Sequence, residues 1–258
     1  NWKNSMFDVS KEFFLDVTKN KNVIRSLVLF DVRSTYSNSI FGLGWAALGP
    51  LLLFSIYFVI YTVLFKVRPA DLSSELYIVH VFSGLSAFLF FAQGLNVGAN
   101  CLVASKDILR SNTIPPILIP IRSVIVSAVG FGVSIGLVFL MDIIFGQLSF
   151  ASILVLIPML ALFVFVLGLV MIFSLLSLII KDIQFALNYF TIVVMVISPI
   201  AYTEAMMPGA FKILIYLNFF APFMMAIQSL VVSDQLPALW IWIAMLVYSS
   251  LSLYFGYT

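Results

Sequence analysis

The sequence predicts an all-α integral membrane protein. Six transmembrane helices are expected, with an N-terminal amphipathic interface helix and a re-entrant outer hairpin before the last span. Three observations carry this. First, 63% of the 258 residues are hydrophobic and 9% charged, with a mean hydropathy of +1.16. A soluble domain is about 25% charged, and so apolar a chain has too little polar surface to cover a water-facing globule. Second, apolar runs recur at the length a bilayer requires, about 20 residues. Third, lysine and arginine concentrate on alternate sides of those runs, which sets orientation.

Residues 1–42 read as an N-terminal cytoplasmic segment and 43–258 as the transmembrane domain. The first forty residues lack the uninterrupted apolar core of a signal peptide. The start at Asn1, without a methionine, points to a trimmed chain. From Asn22, a candidate N-cap, Ile24, Leu27, Val28, Val32 and Tyr36 recur at helical spacing. Arg25, Ser26, Arg33 and Ser37 fall elsewhere. That pattern describes a helix lying in the interface, apolar side down. Gly42 and Gly44 then permit a sharp turn. Trp45 falls where indole rings anchor, and Pro50 lies a turn into the span. These four residues make a candidate hinge or gate.

Spans are expected at about 43–65, 78–98, 117–145, 153–180, 185–202 and 236–257. Residues 211–232, FKILIYLNFFAPFMMAIQSLVV, are long enough for a seventh. Asn218, Pro222 and Gln228 interrupt them, and a proline removes a backbone donor. Two short helices dipping in and out fit equally well, provided protein or a water-filled path shields them from lipid. Six spans plus this hairpin is the expected arrangement, with seven spans the alternative. With the N-terminus inside, Lys3, Lys11, Lys19, Lys21, Arg25, Arg33, Lys106, Arg110, Arg122 and Lys181 face the cytoplasm. Lys66, Arg68 and Lys212 face outward. Six spans return the C-terminus to the cytoplasm.

Several chemistries are disfavoured. The net charge of +2 gives no electrostatic footprint for nucleic acid. Cys101 is the only cysteine, so no intrachain disulfide or thiolate cluster forms. His80 is the only histidine, which removes most zinc and Ser-His-Asp arrangements. No catalytic or metal site is expected. No Walker A motif occurs, so no P-loop for a nucleotide is expected in this chain.

Other residues have two readings each. Phe54, Tyr57, Phe58, Tyr61 and Phe65 recur along one side of the first span. Such a stripe can stack on sugar rings along a path, or simply pack against helices and lipid. Gly94 with Gly98, and Gly132 with Gly136, form GxxxG pairs that read as close helix contacts, within the protomer or across a dimer. An acid inside a span is a functional suspect, but Asp142 beside Gly146 is expected to reach the interface. Glu204 is expected in the outer loop, and His80 in a hydrogen-bonded packing role.

At residues 30–50, FDVRSTYSNSIFGLGWAALGP, the chain resembles the permease subunits of type-2 ABC exporters of polysaccharide and polyol phosphate: O-antigen, capsule and teichoic acid. That family carries R-D-hydrophobic-K-x-R-Y, then S-x-L-G and a tryptophan, before the first span, with a proline soon after. Asp31, Arg33, Tyr36, Ser39, Gly42, Trp45 and Pro50 match it. Phe30 and Thr35 stand where basic residues are usual, and Phe41 where leucine is. The likeness continues through Pro115 and Pro120 in NTIPPILIPI, KDI at 181–183 and SPIAY at 198–202. Asn218 fits the family's outer N-P, with Phe219 in place of the proline.

The resemblance implies a homodimer in the bacterial inner membrane, paired with two copies of a separate ATPase that binds ATP and Mg. It implies no enzyme activity in this chain, and a glycan on undecaprenyl diphosphate as cargo, O-antigen before the others. Lys106, Asp107, Arg110, Lys181 and Asp182 would dock the ATPase, or merely set topology. Arg25 and Arg33, with Tyr36, would hold the lipid diphosphate as it is taken up, or merely attract anionic lipid. Rival functions are a small-molecule or lipid exporter of the same superfamily, a membrane-embedded transferase acting on lipid-linked sugars, and an ion-coupled transporter.

Overall fold

The computed structural model describes residues 15–36, 39–64, 72–110, 114–146, 151–203, 206, 209, 212–232 and 235–258. Phe65, Lys66, Arg68 and Glu204 therefore lie outside the described residues, as does the side chain of Tyr36. Among the described residues there is no strand. Helix α1 spans Lys21–Tyr36, and a 3₁₀ turn at Gly42–Gly44 leads into α2, Trp45–Phe58, which continues as a π-helical stretch through Val59–Leu64. Helix α3 is Ser74–Ala99, followed by the short α4, Cys101–Ala104, and α5, Lys106–Arg110. Helix α6 is Leu118–Ile144; a 3₁₀ turn at Ala151–Val155 opens α7, Leu156–Ile179. Then come α8, Ile183–Ile197; α9, Lys212–Leu217; α10, Ala221–Val232; and α11, Leu239–Tyr257.

Among the described residues, five segments are long and apolar enough to cross a membrane: Trp45–Leu64, Ser74–Ala99, Leu118–Ile144, Ala151–Ile179 and Leu239–Tyr257. The chain is a multi-pass helical membrane protein. The fifth expected span is shorter than its apolar run. Helix α8 has 15 residues, about 22 Å at 1.5 Å per residue, against a hydrocarbon core of about 30 Å. Pro199 explains the stop. A residue before proline is pushed out of the helical region, and Ser198 has ψ 137°. The run 199–202 leaves as irregular, bent chain rather than helix. The interrupted piece after it is two helices, α9 and α10, broken at Asn218–Phe220. Pro222 falls in the first turn of α10, where its missing N–H leaves no bond unmade. Asn218 secures the break: its Oδ1 accepts from Phe220 N at 3.0 Å, and its Nδ2 donates to Ser198 Oγ at 2.8 Å.

Helix α3 is the central post. Of its most apolar stretch 78% is buried, against 6% for α2. It starts earlier than hydropathy suggests because Ser73 caps it, accepting from Leu76 N at 3.3 Å. Gly94 and Gly98 let α7 approach it: a Cβ at either would sit 2.7 Å from Val166 or 2.5 Å from Val170. This GxxxG pair serves the protomer fold. Among the described residues nothing lies within 4 Å of the Gly132 and Gly136 positions, so of the two expected arrangements this pair shows no close contact within the protomer there. The tightest approach is between α7 and α11, where Gly168 lies against the backbone of Ser252. Ser249 Oγ strengthens that pair by donating to Ala161 O at 2.8 Å. Phenylalanines fill the space between these helices. Phe90 stacks on Phe131 at 4.8 Å, Phe165 on Phe223 at 4.9 Å, and Phe91 meets Phe220 at 4.9 Å.

Polar contacts tie the bundle at both ends. At one end Gln184 Nε2 donates to Asn100 Oδ1 at 2.7 Å, and Tyr257 OH to Asp16 Oδ2 at 3.2 Å. The last helix thus ends beside the N-terminal segment. The same end carries Lys106, Arg110, Arg122 and Lys181, and is called the basic end below. At the other end Tyr77 OH donates to Ala201 O at 2.8 Å. Gln228 Nε2 lies 3.2 Å from the carbonyls of both His80 and Pro199, and 3.3 Å from His80 Nε2. His80 is therefore a packing residue within a hydrogen-bonded clasp, as expected.

Candidate functional site

A cavity of about 1040 Å³ opens at the basic end between α1, α2, α3 and α6. Its shape follows from the sequence of each wall. Helix α1 turns Ile24, Leu27, Val28 and Val32 inward, as the periodicity predicts, and Asp31 falls on the same side. The helix begins at Lys21, so Asn22 lies inside it rather than capping it. The turn Gly42–Gly44 then swings the chain into α2. Gly42 has φ +50°, a left-handed conformation that glycine adopts without cost. The turn is closed by Gly42 N to Ser39 O at 3.1 Å and Gly44 N to Phe41 O at 2.9 Å. Trp45 and Pro50, just beyond it, line the cavity.

The other walls mix small polar side chains with apolar ones. Helix α6 offers Arg122, Ser123, Ser127 and Ser134; α3 offers Ser86, Gln93 and Asn96. The serines spend their protons on their own helices: Ser86 on Phe82 O, Ser127 on Ser123 O and Ser134 on Gly130 O. Their oxygens remain as neutral acceptors. Asn96 Nδ2 donates to Thr191 Oγ1 at 3.3 Å, while its buried Oδ1 receives no hydrogen bond from the described residues. Leu53, Leu89, Phe90 and Phe131 complete the lining. Nothing here resembles catalytic machinery, and among the described residues no three His, Cys, Asp or Glu side chains cluster as a metal site would need.

Fixed charge enters at one point. Arg122 Nε lies 2.9 Å from Asp31 Oδ2, joining α6 to α1. The side chains are 17% and 26% exposed. The Arg122 N–H is not aligned on the carboxylate as a hydrogen bond, so this is an ion pair held by charge. Cys101 also lines the cavity, at 8% exposure. Burial pushes its thiol up to about 12, so it is a protonated, inert group at neutral pH.

Sequence-predicted residues fall in several places. Trp45 and Pro50 reach the cavity; Arg25 and Arg33 lie exposed on α1, outside its lining. The aromatic stripe divides. Phe54 is 1% exposed and stacks on Phe82 at 4.4 Å. Tyr57 stacks near Tyr61 at 5.8 Å, with its hydroxyl 3.9 Å from Met195 Sδ on α8. Phe58 is exposed. None of these lines the cavity. Lys106, Asp107, Arg110, Lys181 and Asp182 are all exposed at the basic end, on α5 and in the turn between α7 and α8.

Sequence reasoning missed the Asp31–Arg122 pair. By sequence alone Arg122 is one of many topology-setting charges. The available signal was its position five residues inside an apolar run, beside a motif that supplies an acid. Asp142, expected to reach the interface, is instead fully buried within the protein, and neither carboxylate oxygen receives a hydrogen bond from the described residues. Helix α6 turns that side of its last turns into the bundle rather than outward.

The fold and cavity define a multi-pass helical membrane protein with a partly polar chamber at its basic end, the features of a transport subunit. No family model matches the chain. It is similar to curated proteins called "O-antigen export system permease protein RfbA". Two are from Klebsiella pneumoniae. One is 25% identical over 73% of this chain and 71% of its own length; the other is 24% identical over 80% and 78%. A third, from Myxococcus xanthus, is 23% identical over 49% and 47%. These names agree with the type-2 ABC permease resemblance carried by the motifs at residues 30–50.

Proposed function

We propose that the chain is the membrane-spanning subunit of an ATP-driven exporter that moves undecaprenyl-diphosphate-linked polysaccharide, O-antigen before other glycans, across the bacterial inner membrane. Two copies would enclose the path, and two copies of a separate ATPase would drive it. Five long helices and the shorter α8 make six crossings, with α9 and α10 as the outer hairpin and both termini cytoplasmic. The contact between Tyr257 and Asp16 supports an even number of crossings.

The observation that carries this reading is the cavity beneath α1, at the end where the basic residues lie. A lipid-linked substrate made in the cytoplasm would meet this end first. Its head would find a charged pair, and its sugars a row of neutral hydroxyl and amide groups suited to them. Helix α1 carries both a cavity wall and an exposed basic face. It would thus connect cargo with the ATPase, through the Gly42 turn to α2. The exposed charges of α5 and the α7–α8 turn would complete the docking surface.

Deleting the gene in its host tests this. The expected result is loss of the long glycan from the cell surface, with lipid-linked polymer accumulating inside. An unchanged surface with intact polymer would reject glycan export and favour a small-molecule or lipid exporter of the same superfamily. Failure to make the polymer at all would favour a transferase.

A further inference from the structure

We propose that Arg122 is the receptor for the anionic head group of a lipid, and that Asp31 occupies Arg122 until such a head group displaces it. The inference rests on the export reading above and deepens it. Among the described residues lining the cavity, Arg122 is the one cation and Asp31 the one anion. An incoming phosphate or diphosphate therefore has a single electrostatic partner there. That partner is accessible: its side chain keeps 17% exposure despite the contact with Asp31.

The existing pair is the kind that yields. It is partly exposed, so solvent screens it, and its net stabilisation is small. The Nε–H misses the carboxylate direction although the atoms stand 2.9 Å apart. Guanidinium offers five donors in a fork that matches phosphate oxygens in pairs. A diphosphate brings more negative charge and more acceptors than one carboxylate. The apolar lining at Leu53, Val126 and Phe131 accepts the first hydrocarbon units behind the head. This favours a lipid phosphate over a free anion.

Displacement has a mechanical result. Helix α1 packs chiefly on α6, and the pair sits at that contact. Transfer of Arg122 from Asp31 to the head group removes a charge contact between α1 and the bundle. Occupancy of the cavity is thereby reported to the helix that faces the cytoplasm. The reported chemistry is a phosphate or diphosphate, and its source is separable by experiment.

The test is equilibrium binding to the full-length protein in lipid nanodiscs. The probes are radiolabelled farnesyl diphosphate, inorganic pyrophosphate and farnesol. Farnesyl diphosphate is expected to bind the wild type, and R122Q to weaken it about tenfold or more, the scale of a lost charge-assisted hydrogen bond. D31N is expected to bind it several-fold more tightly, because the competitor is gone while shape is kept. R122K should fall between wild type and R122Q, with charge retained and the fork lost. A pair that only holds α1 in place predicts the opposite for D31N: equal or weaker binding. That result, or R122Q binding within twofold of wild type, overturns the proposal. Pyrophosphate binding as tightly as farnesyl diphosphate overturns the lipid as source and leaves a free-anion site. The gene deletion fails separately: an unchanged surface glycan beside these binding results sinks the cargo, not the site.

Discussion

Replacing Gly168 with alanine should separate α7 from α11. A Cβ built there would stand 2.2 Å from the Ser252 carbonyl carbon, 2.4 Å from its oxygen and 2.5 Å from Leu253 N. These are backbone atoms, so no rotamer change relieves them. Ordinary contact begins near 3.5 Å, so the helices must part by about 1 Å along this line. Gly256 worsens the case, since its own Cβ position lies 2.6 Å from Gly168 O. Overpacking a tight core costs about 1–3 kcal/mol, and a backbone-on-backbone clash belongs at the upper end. About 3 kcal/mol is roughly a hundredfold in the folding equilibrium. The assay is a melting curve in detergent, run beside Gly132→Ala and Gly136→Ala. Those two positions are open among the described residues of the protomer and should leave its melting unchanged. Gly98→Ala meets only the side chain of Val170 and should fall between. A Gly168→Ala protein that melts with the wild type would refute the reading of this contact. Loss of dimer with normal melting in the Gly132 or Gly136 variants would put those glycines at an interface between copies.

Two further outcomes are expected. Gly42→Val forces a β-branched residue into φ +50°, a strain of about 1–2 kcal/mol. No described residue lies within 4 Å of that Cβ, so the effect is assigned to the backbone. On the proposed export function, the assembly should then hydrolyse ATP while surface glycan falls, whereas Gly42→Asn, which tolerates this conformation, should export. Normal export by Gly42→Val would sink the hinge. The Cys101 thiol, raised to about 12 by burial, should resist maleimide at pH 8 in the folded protein, at a rate roughly a thousandfold below that of the denatured chain, where thiolate is the reactive form. Folding favours the protonated thiol. Its contribution is therefore full below the unfolded value near 8.5 and is lost as pH rises toward about 12. Equal labelling of folded and denatured protein at pH 8 would contradict the burial.

Much of the helical plan was legible because bilayer thickness and backbone hydrogen bonding leave few choices. Composition gave the class, apolar runs gave five long helices within a few residues, and period 3.6 gave the buried side of α1. Local chemistry read in advance also held at Gly42, whose turn needs a positive φ. Packing was not legible in this way. The two GxxxG pairs have the same spacing, yet Gly94 and Gly98 meet α7 while Gly132 and Gly136 meet nothing among the described residues. The aromatic stripe of α2 is regular in sequence, yet Phe54 is buried and Phe58 exposed, because only one side of α2 finds a neighbour. Asp142 looked interfacial by its place in the chain and is wholly buried. The cavity and its charged pair belong to the same class of fact. Asp31 and Arg122 are 91 positions apart in number and 2.9 Å apart in space. Local spacing determines which side of a helix is apolar. Which helix covers that side, and which charge then finds its partner, is decided by the summed packing of the whole bundle.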